Sequence, residues 1–198
     1  MCRFIETICL IDGQPERLPL HNARLNATRR HFFGPLPDLD LRTVIDGRLA
    51  PAGRVRCRVV YAESIEKIEY FPYRLRPVHT LRLVAADDVD YAYKYASRAA
   101  LDRVFSLRGV ADEVLMVRGG RLTDTSIANI ALFDGHEWLT PVCPLLAGTR
   151  RADLLRRGFI RPADLRVADL PQFSRIRLFN AMIPFGEVEL DCRQIQQY

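Results

Sequence analysis

The segment GRVRCRVVYAES, residues 53–64, alternates between arginine and apolar side chains. Val55, Cys57 and Val59 occupy the apolar positions, and arginines separate them. An alternation of period two indicates a β-strand with one buried face. The next segment, IEKIEYFPYRL at residues 65–75, alternates in the same way and predicts a neighbouring strand. We therefore expect a fold in which strands dominate.

Other segments add strands and helices to this pair. RFIETICLI is apolar and β-branched and precedes Asp12-Gly13, which predicts a strand and a turn. EVLMV, RLTDTSIANIALF and EWLTP, separated by glycine turns, predict a strand meander. A helix is predicted from His21 to Phe33, where Gly34-Pro35 stops it, and SRAALDRVFSLRG and LLAGTRRADLLRRG predict two more. The predicted fold class is α+β. The segment RPVHTLRLV is predicted to connect two lobes, residues 1–78 and residues 79–198.

Composition and charge narrow the classes of function. The formal net charge is +5, but the arginines are spread along the chain and form no basic stripe, which disfavours a nucleic-acid partner and fits small anionic ligands better. No apolar run approaches the ~18 residues of a membrane span, and the N-terminus does not resemble a signal peptide. Five scattered cysteines without a CxxC pair predict no metal site and suggest reduced thiols in the cytoplasm.

The chain contains only two lysines among its 29 cationic residues. Lys67 lies between Glu66 and Glu69, a pattern typical of a solvated face. Lys94 lies between tyrosines, and alternation would place Tyr91, Tyr93 and Tyr95 opposite it. An amine nucleophile needs a partly apolar setting that favours its neutral form. Lys94 is therefore a candidate nucleophile, although this segment alone favours a surface lysine at a strand end.

Two further segments could bind parts of a phosphorylated ligand. LAGTRR combines a glycine, the hydroxyl of Thr149 and the cationic Arg150 at a predicted helix start, where backbone N–H groups can hold a phosphate. TDTSIAN places Asp124 beside hydroxyl groups between two strands. Asp124 is either a turn residue or the anionic partner of a protonated ring nitrogen. Asn129 is expected to order the Asp124 turn by hydrogen bonds.

The order of these segments carries more information than any one of them. HNARL, the lysine, DEVLMVRGGRLTDTSIAN, WLTP with PLLAGTRR, and FNAMIPFGEV follow one another from about Phe4 to Val188. This order resembles the fold-type IV pyridoxal-phosphate enzymes, the class IV aminotransferase family. That family contains the branched-chain and D-amino-acid aminotransferases and 4-amino-4-deoxychorismate lyase. The resemblance implies a two-lobed, D-amino-acid-aminotransferase-like fold, here with a reduced N-terminal lobe.

The resemblance also implies a role for individual residues. Lys94 would form the Schiff base with pyridoxal 5'-phosphate. The other cofactor-binding positions would be Arg24, Thr149 and Arg150 at the phosphate, Asn180 at the last phosphate or substrate contact, and Asp124 at the ring nitrogen. Asp124 stands where the family usually has glutamate, so the ring must lie closer or the contact must be looser. Ala181 and Arg98 would contact the substrate, and His21 is expected to pin the helix that carries Arg24.

The implied reaction divides into two alternatives. Arg98 follows Lys94 by four residues, as in the lyase, which favours release of p-aminobenzoate and pyruvate from aminodeoxychorismate, a step of folate biosynthesis. The alternative is amino transfer from branched-chain or D-amino acids to a keto acid, and a third reading is a protein that binds the cofactor without turnover. The resemblance further implies a small amino substrate and a homodimer, with neither nucleic acid nor membrane as partner.

Overall fold

The computed structural model describes residues 2–197 and divides them into two compact units. Unit 1 contains the chain up to Leu75 and also Tyr93–Ser97, whereas unit 2 contains Arg76–Ala92 and the chain from Arg98 onward. The short segment Tyr93–Ser97 therefore belongs with the N-terminal residues although it follows part of unit 2 in sequence. The division after residue 78 that the sequence suggests stays a prediction.

Unit 1 is a four-stranded antiparallel sheet with one long helix. Its strands are β1 (Phe4–Ile11), β2 (Gln14–Pro15), β3 (Arg54–Tyr61) and β4 (Ile65–Pro72), in the order β2-β1-β3-β4. The helix α1 spans Leu18–Phe33, and short 3-10 turns follow at Leu41–Thr43 and Gly47–Leu49. The alternation in β3 is confirmed, because Val55, Cys57 and Val59 are fully buried, whereas Arg56 is exposed and Arg58 is half-buried.

The helix α1 begins three residues earlier than the sequence predicts. Pro19 lies in its first turn, where a missing N–H costs nothing and the fixed φ of proline suits the helix. The predicted end is confirmed at Phe33, since Gly34 adopts φ 84° and its N–H donates to the Arg30 carbonyl at 3.2 Å. The helix buries Leu25 against the sheet, where it meets Phe4 and Ile8 in one core cluster.

Unit 2 contains two sheets and two short helices. Its strands are β5 (Leu81–Ala85), β6 (Glu113–Arg118), β7 (Arg121–Thr125), β8 (Asn129–Phe133), β9 (Trp138–Pro141), β10 (Arg161–Ala163), β11 (Arg175–Phe179), β12 (Val188–Asp191) and β13 (Ile195–Gln196). One sheet has the order β13-β5-β6-β7 and the other β10-β9-β8-β11-β12. The helices α2 (Ala99–Ser106) and α3 (Thr149–Arg156) confirm the two helices predicted there, and 3-10 turns lie at Val167–Gln172 and Cys192–Gln194.

The continuous strand meander predicted in unit 2 is wrong in one respect. β7 pairs with β6, but β8 pairs with β9 and β11 in the other sheet. The residues Thr125–Ala128, which we call the 125–128 turn, carry the chain from one sheet to the other. Sequence alternation marks each strand but not its partner, so this change of sheet was not visible. The predicted α+β, strand-rich class is confirmed.

Between residues 2 and 197, no helix combines the length and apolar character that a membrane crossing requires. Within the same residues, no group of three or more histidine, cysteine, aspartate or glutamate side chains could hold a metal ion.

Candidate active site

In unit 1, Lys94 lies in an irregular segment held to the beginning of β1. The Ile5 N–H donates to the Lys94 carbonyl at 2.9 Å, and the Ala96 N–H donates to the Arg3 carbonyl at 2.8 Å. An isolated bridge pairs Phe4 with Tyr95. The strand that the sequence predicts at Lys94 is therefore reduced to one bridge, but its backbone is fixed on both sides of the lysine.

The tyrosines beside Lys94 pack into the core of unit 1. The Tyr93 ring lies 4.8 Å from the Phe32 ring, and the Tyr95 ring lies 5.2 Å from the Phe4 ring. The predicted strand does not extend to Tyr91, which is buried in unit 2. Lys94 itself is half-buried. Anchored tyrosines on both sides restrict where the lysine side chain can reach.

Arg24, the predicted phosphate ligand, belongs to a buried network with β1. Its Nε donates to Glu6 Oε1 at 2.8 Å and its Nη2 to Oε2 at 2.6 Å, a bidentate pair. His21, one turn earlier on α1, places its Nδ1 2.6 Å from the same Oε2. Glu6 and His21 are fully buried, and Arg24 is 16% exposed. His21 thus links the helix to the strand, which is the pinning role that the sequence suggests.

The electrostatics of this network keep Glu6 ionised. Burial alone would raise the pKa of Glu6, but the Arg24 charge and the hydrogen bonds from His21 and Arg24 outweigh it and lower the pKa to about 2. Burial lowers the pKa of His21, against the raising influence of Glu6. His21, through Nδ1, and Arg24 therefore share one carboxylate. Two adjacent residues of β1 therefore contact two predicted site residues. Ile5 binds the Lys94 backbone, and Glu6 binds the Arg24 guanidinium.

In unit 2, Asp124 is a buried carboxylate surrounded by neutral donors. Asn129 donates from Nδ2 to Asp124 Oδ1 at 2.9 Å, and the Leu146 N–H donates to Oδ2 at 2.8 Å. The predicted ordering of the Asp124 turn by Asn129 is confirmed. Arg151, on α3, influences Asp124 through its charge, but its Nη2 donates to the Pro141 carbonyl at 2.7 Å.

These surroundings leave Asp124 short of compensating charge. Burial raises the pKa of Asp124 to about 6. The hydrogen bonds from Asn129 and Leu146 and the charge of Arg151 oppose this rise but offset it only in part. A cation that approached this carboxylate would stabilise its ionised form. The site therefore fits the protonated ring nitrogen of a pyridine cofactor.

Asn129 also connects Asp124 with the turn that begins α3. Its Nδ2 donates to the Leu146 carbonyl at 2.9 Å, and a Cβ atom added at Gly148 would overlap its Oδ1. Glycine is thus required before Thr149 for steric reasons, not only as a turn residue. Thr149, buried, is the first residue of α3, where backbone N–H groups have no partner within a helix.

Arg150 brings the beginning of α3 to the loop after β11. Its Nε donates to the Asn180 carbonyl at 2.6 Å and its Nη2 to the Ala181 carbonyl at 3.2 Å. Asn180 in turn donates from Nδ2 to the Ile127 carbonyl at 2.9 Å. Arg150 thus contacts two other predicted residues, Asn180 and Ala181, and Asn180 contacts the 125–128 turn. Their contacts with phosphate or substrate stay predictions.

Arg98, the predicted substrate contact, also binds the 125–128 turn. Its Nη2 donates to the Ser126 carbonyl at 2.9 Å, and its Nε lies 3.6 Å from Asp102 on α2. A guanidinium has five N–H donors, so these contacts do not use all of its capacity. A contact between Arg98 and a substrate carboxylate stays a prediction.

Two buried carboxylates escaped the sequence analysis. Glu6 is the single charged residue in the apolar run FIETICLI, and Glu113 begins the equally apolar EVLMV. A carboxylate inside an apolar strand needs a partner if it is buried, and this was the available signal. The partners of Glu6 lie 15 and 18 residues away in sequence, so the pattern could not identify them.

Comparison with known proteins agrees with this geometry. Residues 3–189 match the family model described as amino-transferase class IV. An uncharacterized protein of Haemophilus influenzae is 32% identical, with 92% of this chain and 98% of that protein covered. The crystal structure of a "putative 4-amino-4-deoxychorismate lyase" from Haemophilus somnus 129PT superposes with a TM-score of 0.85 at 30% identity, covering 92% of this chain and 97% of that one.

A second similar crystal structure is that of a protein named as an aminotransferase, not as a lyase. A "putative amino-acid aminotransferase" from Mesorhizobium loti has a TM-score of 0.79 at 25% identity, with 96% of this chain and 99% of that one covered. These likenesses confirm the two-lobed class IV fold. The family is pyridoxal-phosphate dependent, which makes this chain an enzyme with that cofactor. The chain belongs to the class IV aminotransferase family.

Proposed function

We propose that the enzyme is a lyase that releases p-aminobenzoate and pyruvate from aminodeoxychorismate. The proposal is supported by the likeness to the Haemophilus somnus protein over nearly the whole of both chains. The arginine four residues after Lys94 favours the same reaction. Amino transfer to a keto acid is the second candidate, favoured by the likeness to the Mesorhizobium loti protein.

The observation that carries the proposed site is the environment of Asp124. It is a buried carboxylate with neutral hydrogen-bond donors and a pKa raised to about 6. When bound, pyridoxal phosphate supplies an electron sink whose strength depends on a protonated ring nitrogen. Asp124 would hold that proton on the ring nitrogen by its charge. Arg24, Thr149 and Arg150 would bind the phosphate, and Asn180 would make the last contact with the phosphate or the substrate.

Lys94 would act twice. Its Nζ would hold the cofactor covalently until the substrate amine takes its place. The released amine would remove the proton next to the substrate amino group as general base. In the proposed lyase reaction, loss of that proton and of the neighbouring enolpyruvyl group would leave the aromatic ring of p-aminobenzoate, and the expelled enolpyruvate would take up a proton to become pyruvate. Arg98 and Ala181 would contact the substrate.

The first experiment tests the covalent role of Lys94. Borohydride reduction of the cofactor-loaded protein should leave a pyridoxyl group on the peptide that contains Lys94, identified by mass spectrometry. Because Lys67 is the only other lysine, Lys67→Ala provides a matched control that should keep the adduct. Lys94→Ala should lose the adduct and should lower kcat by at least about 10²–10⁴-fold, the range for a general base. An adduct on Lys67 alone would overturn the proposed site.

The second experiment separates the reactions. Aminodeoxychorismate should yield p-aminobenzoate without any keto acid, as measured by fluorescence of the product. Transfer that depends on a keto acid, with L- or D-amino acids as donors, would overturn the lyase proposal in favour of the aminotransferase. Bound cofactor without either turnover would support the binding-only alternative.

A homodimer is also part of the proposal, because the resemblance implies a site that neighbours a second subunit. Light scattering of the purified protein should give twice the chain mass of 22.7 kDa. A monomeric mass would contradict it. The cytoplasmic location, a role in folate biosynthesis and the absence of a nucleic-acid partner stay predictions.

A further inference from the structure

Lys94, the proposed nucleophile, is the central residue of a tight turn in unit 1. The Tyr95 N–H donates to the Tyr93 carbonyl at 2.9 Å, and this hydrogen bond closes a γ-turn around Lys94. The Lys94 carbonyl accepts from the Ile5 N–H at 2.9 Å, which attaches the turn to β1. A γ-turn has only one hydrogen bond of its own. The direction of the lysine side chain therefore depends on how the two ends of the turn are held.

The residue before the lysine is held through its ring. Tyr93 is the first residue of the segment that belongs with unit 1. Its ring stacks on the His31 ring with centroids 4.8 Å apart and an interplanar angle of 19°. It also meets the Phe32 ring in an edge-to-face arrangement, at 4.8 Å and 81°. His31 and Phe32 are consecutive residues near the end of α1, so one helix end holds this side of the γ-turn.

The Phe32 ring contacts both ends of the γ-turn. Besides Tyr93 it meets the Tyr95 ring at 6.1 Å and 73°, and it lies 4.6 Å from the Phe4 ring on β1. Edge-to-face pairs at these distances are attractive, because the positive edge of one ring meets the negative face of the other. Removal of the Phe32 ring would therefore release both neighbours of the lysine at once.

The same helix carries the predicted phosphate ligand. Arg24 precedes Phe32 by eight residues on α1, and both oxygens of Glu6 fix its guanidinium. At 1.5 Å per residue, these two positions lie about 12 Å apart along the helix axis. The phosphate and the aldehyde of pyridoxal phosphate are attached to one rigid ring. A helix that positions the residues for both groups can therefore set the spacing between them.

We propose that Phe32 is a positioning residue for Lys94. Together with His31, it holds the γ-turn in the orientation in which the Lys94 amine meets the aldehyde of a cofactor whose phosphate Arg24 binds. Neither aromatic residue takes part in the reaction itself. The inference rests on the proposed covalent role of Lys94.

Amide hydrogen exchange in the cofactor-free, full-length protein tests the hold on the turn. Phe32→Leu keeps an apolar side chain but removes the ring. The Ile5 amide, which donates to the Lys94 carbonyl, should then exchange at least about tenfold faster. Phe33→Leu is the matched control, since the Phe33 ring belongs to the same cluster and meets Phe4 at 6.2 Å and Phe32 at 6.5 Å. It should lower the Tm similarly but leave the Ile5 exchange as in the wild type.

Covalent capture of pyridoxal phosphate tests the direction of the amine. Borohydride is added at set times after mixing, and mass spectrometry measures the pyridoxyl group on the Lys94 peptide. Phe32→Leu should slow this capture by about tenfold to 10²-fold, the order that a misplacement of about 1 Å can cost. Pyridoxine 5'-phosphate, which has the phosphate but no aldehyde, should bind Phe32→Leu as tightly as the wild type. Phe32→Tyr keeps the ring and should retain the wild-type rate of capture.

Three results would overturn the positioning role. The first is an Ile5 exchange and a rate of capture in Phe32→Leu that coincide with the wild type. The second is an equal change in Phe33→Leu, which would assign the effect to general stability. The third is an equal loss of affinity for pyridoxine 5'-phosphate, which would show that the variant disturbs the whole site.

A second variant covers the case in which Phe32→Leu does not fold. His31→Ala changes an exposed side chain and should give a smaller change of exchange and capture in the same direction, and no change would overturn the inference. A wild-type protein without an adduct on Lys94 would overturn the proposed function. Faster Ile5 exchange in Phe32→Leu would then still support the hold of Phe32 on the turn.

Discussion

Each unit buries a carboxylate next to residues assigned to the cofactor, but the two carboxylates have different partners. Glu6 in unit 1 binds a guanidinium through both oxygens, and its pKa falls to about 2. Asp124 in unit 2 binds an amide and a backbone N–H, and its pKa rises to about 6. Both are almost fully buried, so the charge of the partner, not burial, explains the difference.

The difference separates a structural use of charge from a functional one. The Glu6 charge is already compensated by Arg24, so it contributes to the fold and to the orientation of that arginine. The Asp124 charge lacks a bonded cation and is costly to keep ionised, so a cation that binds there recovers that cost. A protonated pyridine ring would be such a cation. The comparison predicts opposite responses of the two carboxylates to substitution and to pH.

The largest effect is expected from Glu6→Ala. The substitution leaves the charge of Arg24 in a largely buried position without its carboxylate and should lower the free energy of unfolding by about 3–5 kcal/mol, the usual cost of breaking a buried ion pair. Urea unfolding followed by circular dichroism measures it. Asp38→Ala breaks the exposed pair with Arg30 and is the matched control, which should change little. Equal effects of the two variants would contradict a compensated charge at Glu6.

The pH dependence of stability should carry opposite signs in the two units. The folded-state pKa of Asp124 lies above its unfolded value, so the cofactor-free protein should lose stability from this group as pH rises from about 4 to about 6. A shift of about two units corresponds to roughly 3 kcal/mol. Glu6 behaves in the opposite way, because its lowered pKa gives stability that is present above about pH 4.5 and lost as pH falls towards 2.

Asp124→Asn tests whether Asp124 causes the expected loss of stability between about pH 4 and about pH 6. The variant cannot ionise at this position, so its unfolding free energy should not show the loss between about pH 4 and pH 6 that the wild type shows. Asp88→Asn, at an exposed ion pair with Arg103, is the control and should keep the wild-type slope. If pyridoxal phosphate supplies the missing cation, the wild-type loss should also diminish in the loaded protein. A slope unchanged by Asp124→Asn would show that Asp124 is not the group responsible.

The sequence predicted the two carboxylate environments unequally. The position of Asp124 and its ordering by Asn129 followed from a short segment, because residues five apart across one turn can be read locally. The partners of Glu6 lie 15 and 18 residues away on a helix, and only the packing of α1 on β1 brings them together. The same reason hid the transfer of the chain between sheets at the 125–128 turn, since strand pairing is a long-range property.

The segment around Lys94 illustrates the limit of periodicity. Alternating tyrosines predicted a strand with all three rings on one face, but a single bridge to Phe4 holds the segment and Tyr91 belongs to unit 2. Ring packing of Tyr93 and Tyr95 against Phe32 and Phe4 selects this conformation, and no local pattern encodes those partners. The lysine itself was found because its neighbours and the order of the surrounding segments marked it.

The smallest effect is expected where a carboxylate and its cation are both near solvent. Lys67 Nζ lies 2.6 Å from Glu69 Oε1, as close as the shortest contacts in the Glu6 network, but Lys67 is 63% exposed. Water and salt weaken such a pair, and ordering the long side chain costs entropy. Lys67→Ala should therefore shift the Tm by no more than about 4 °C. Calorimetry of Lys67→Ala beside Glu6→Ala tests the comparison directly: if both lower the Tm alike, short distance rather than burial governs these pairs, and the distinction between the two units fails.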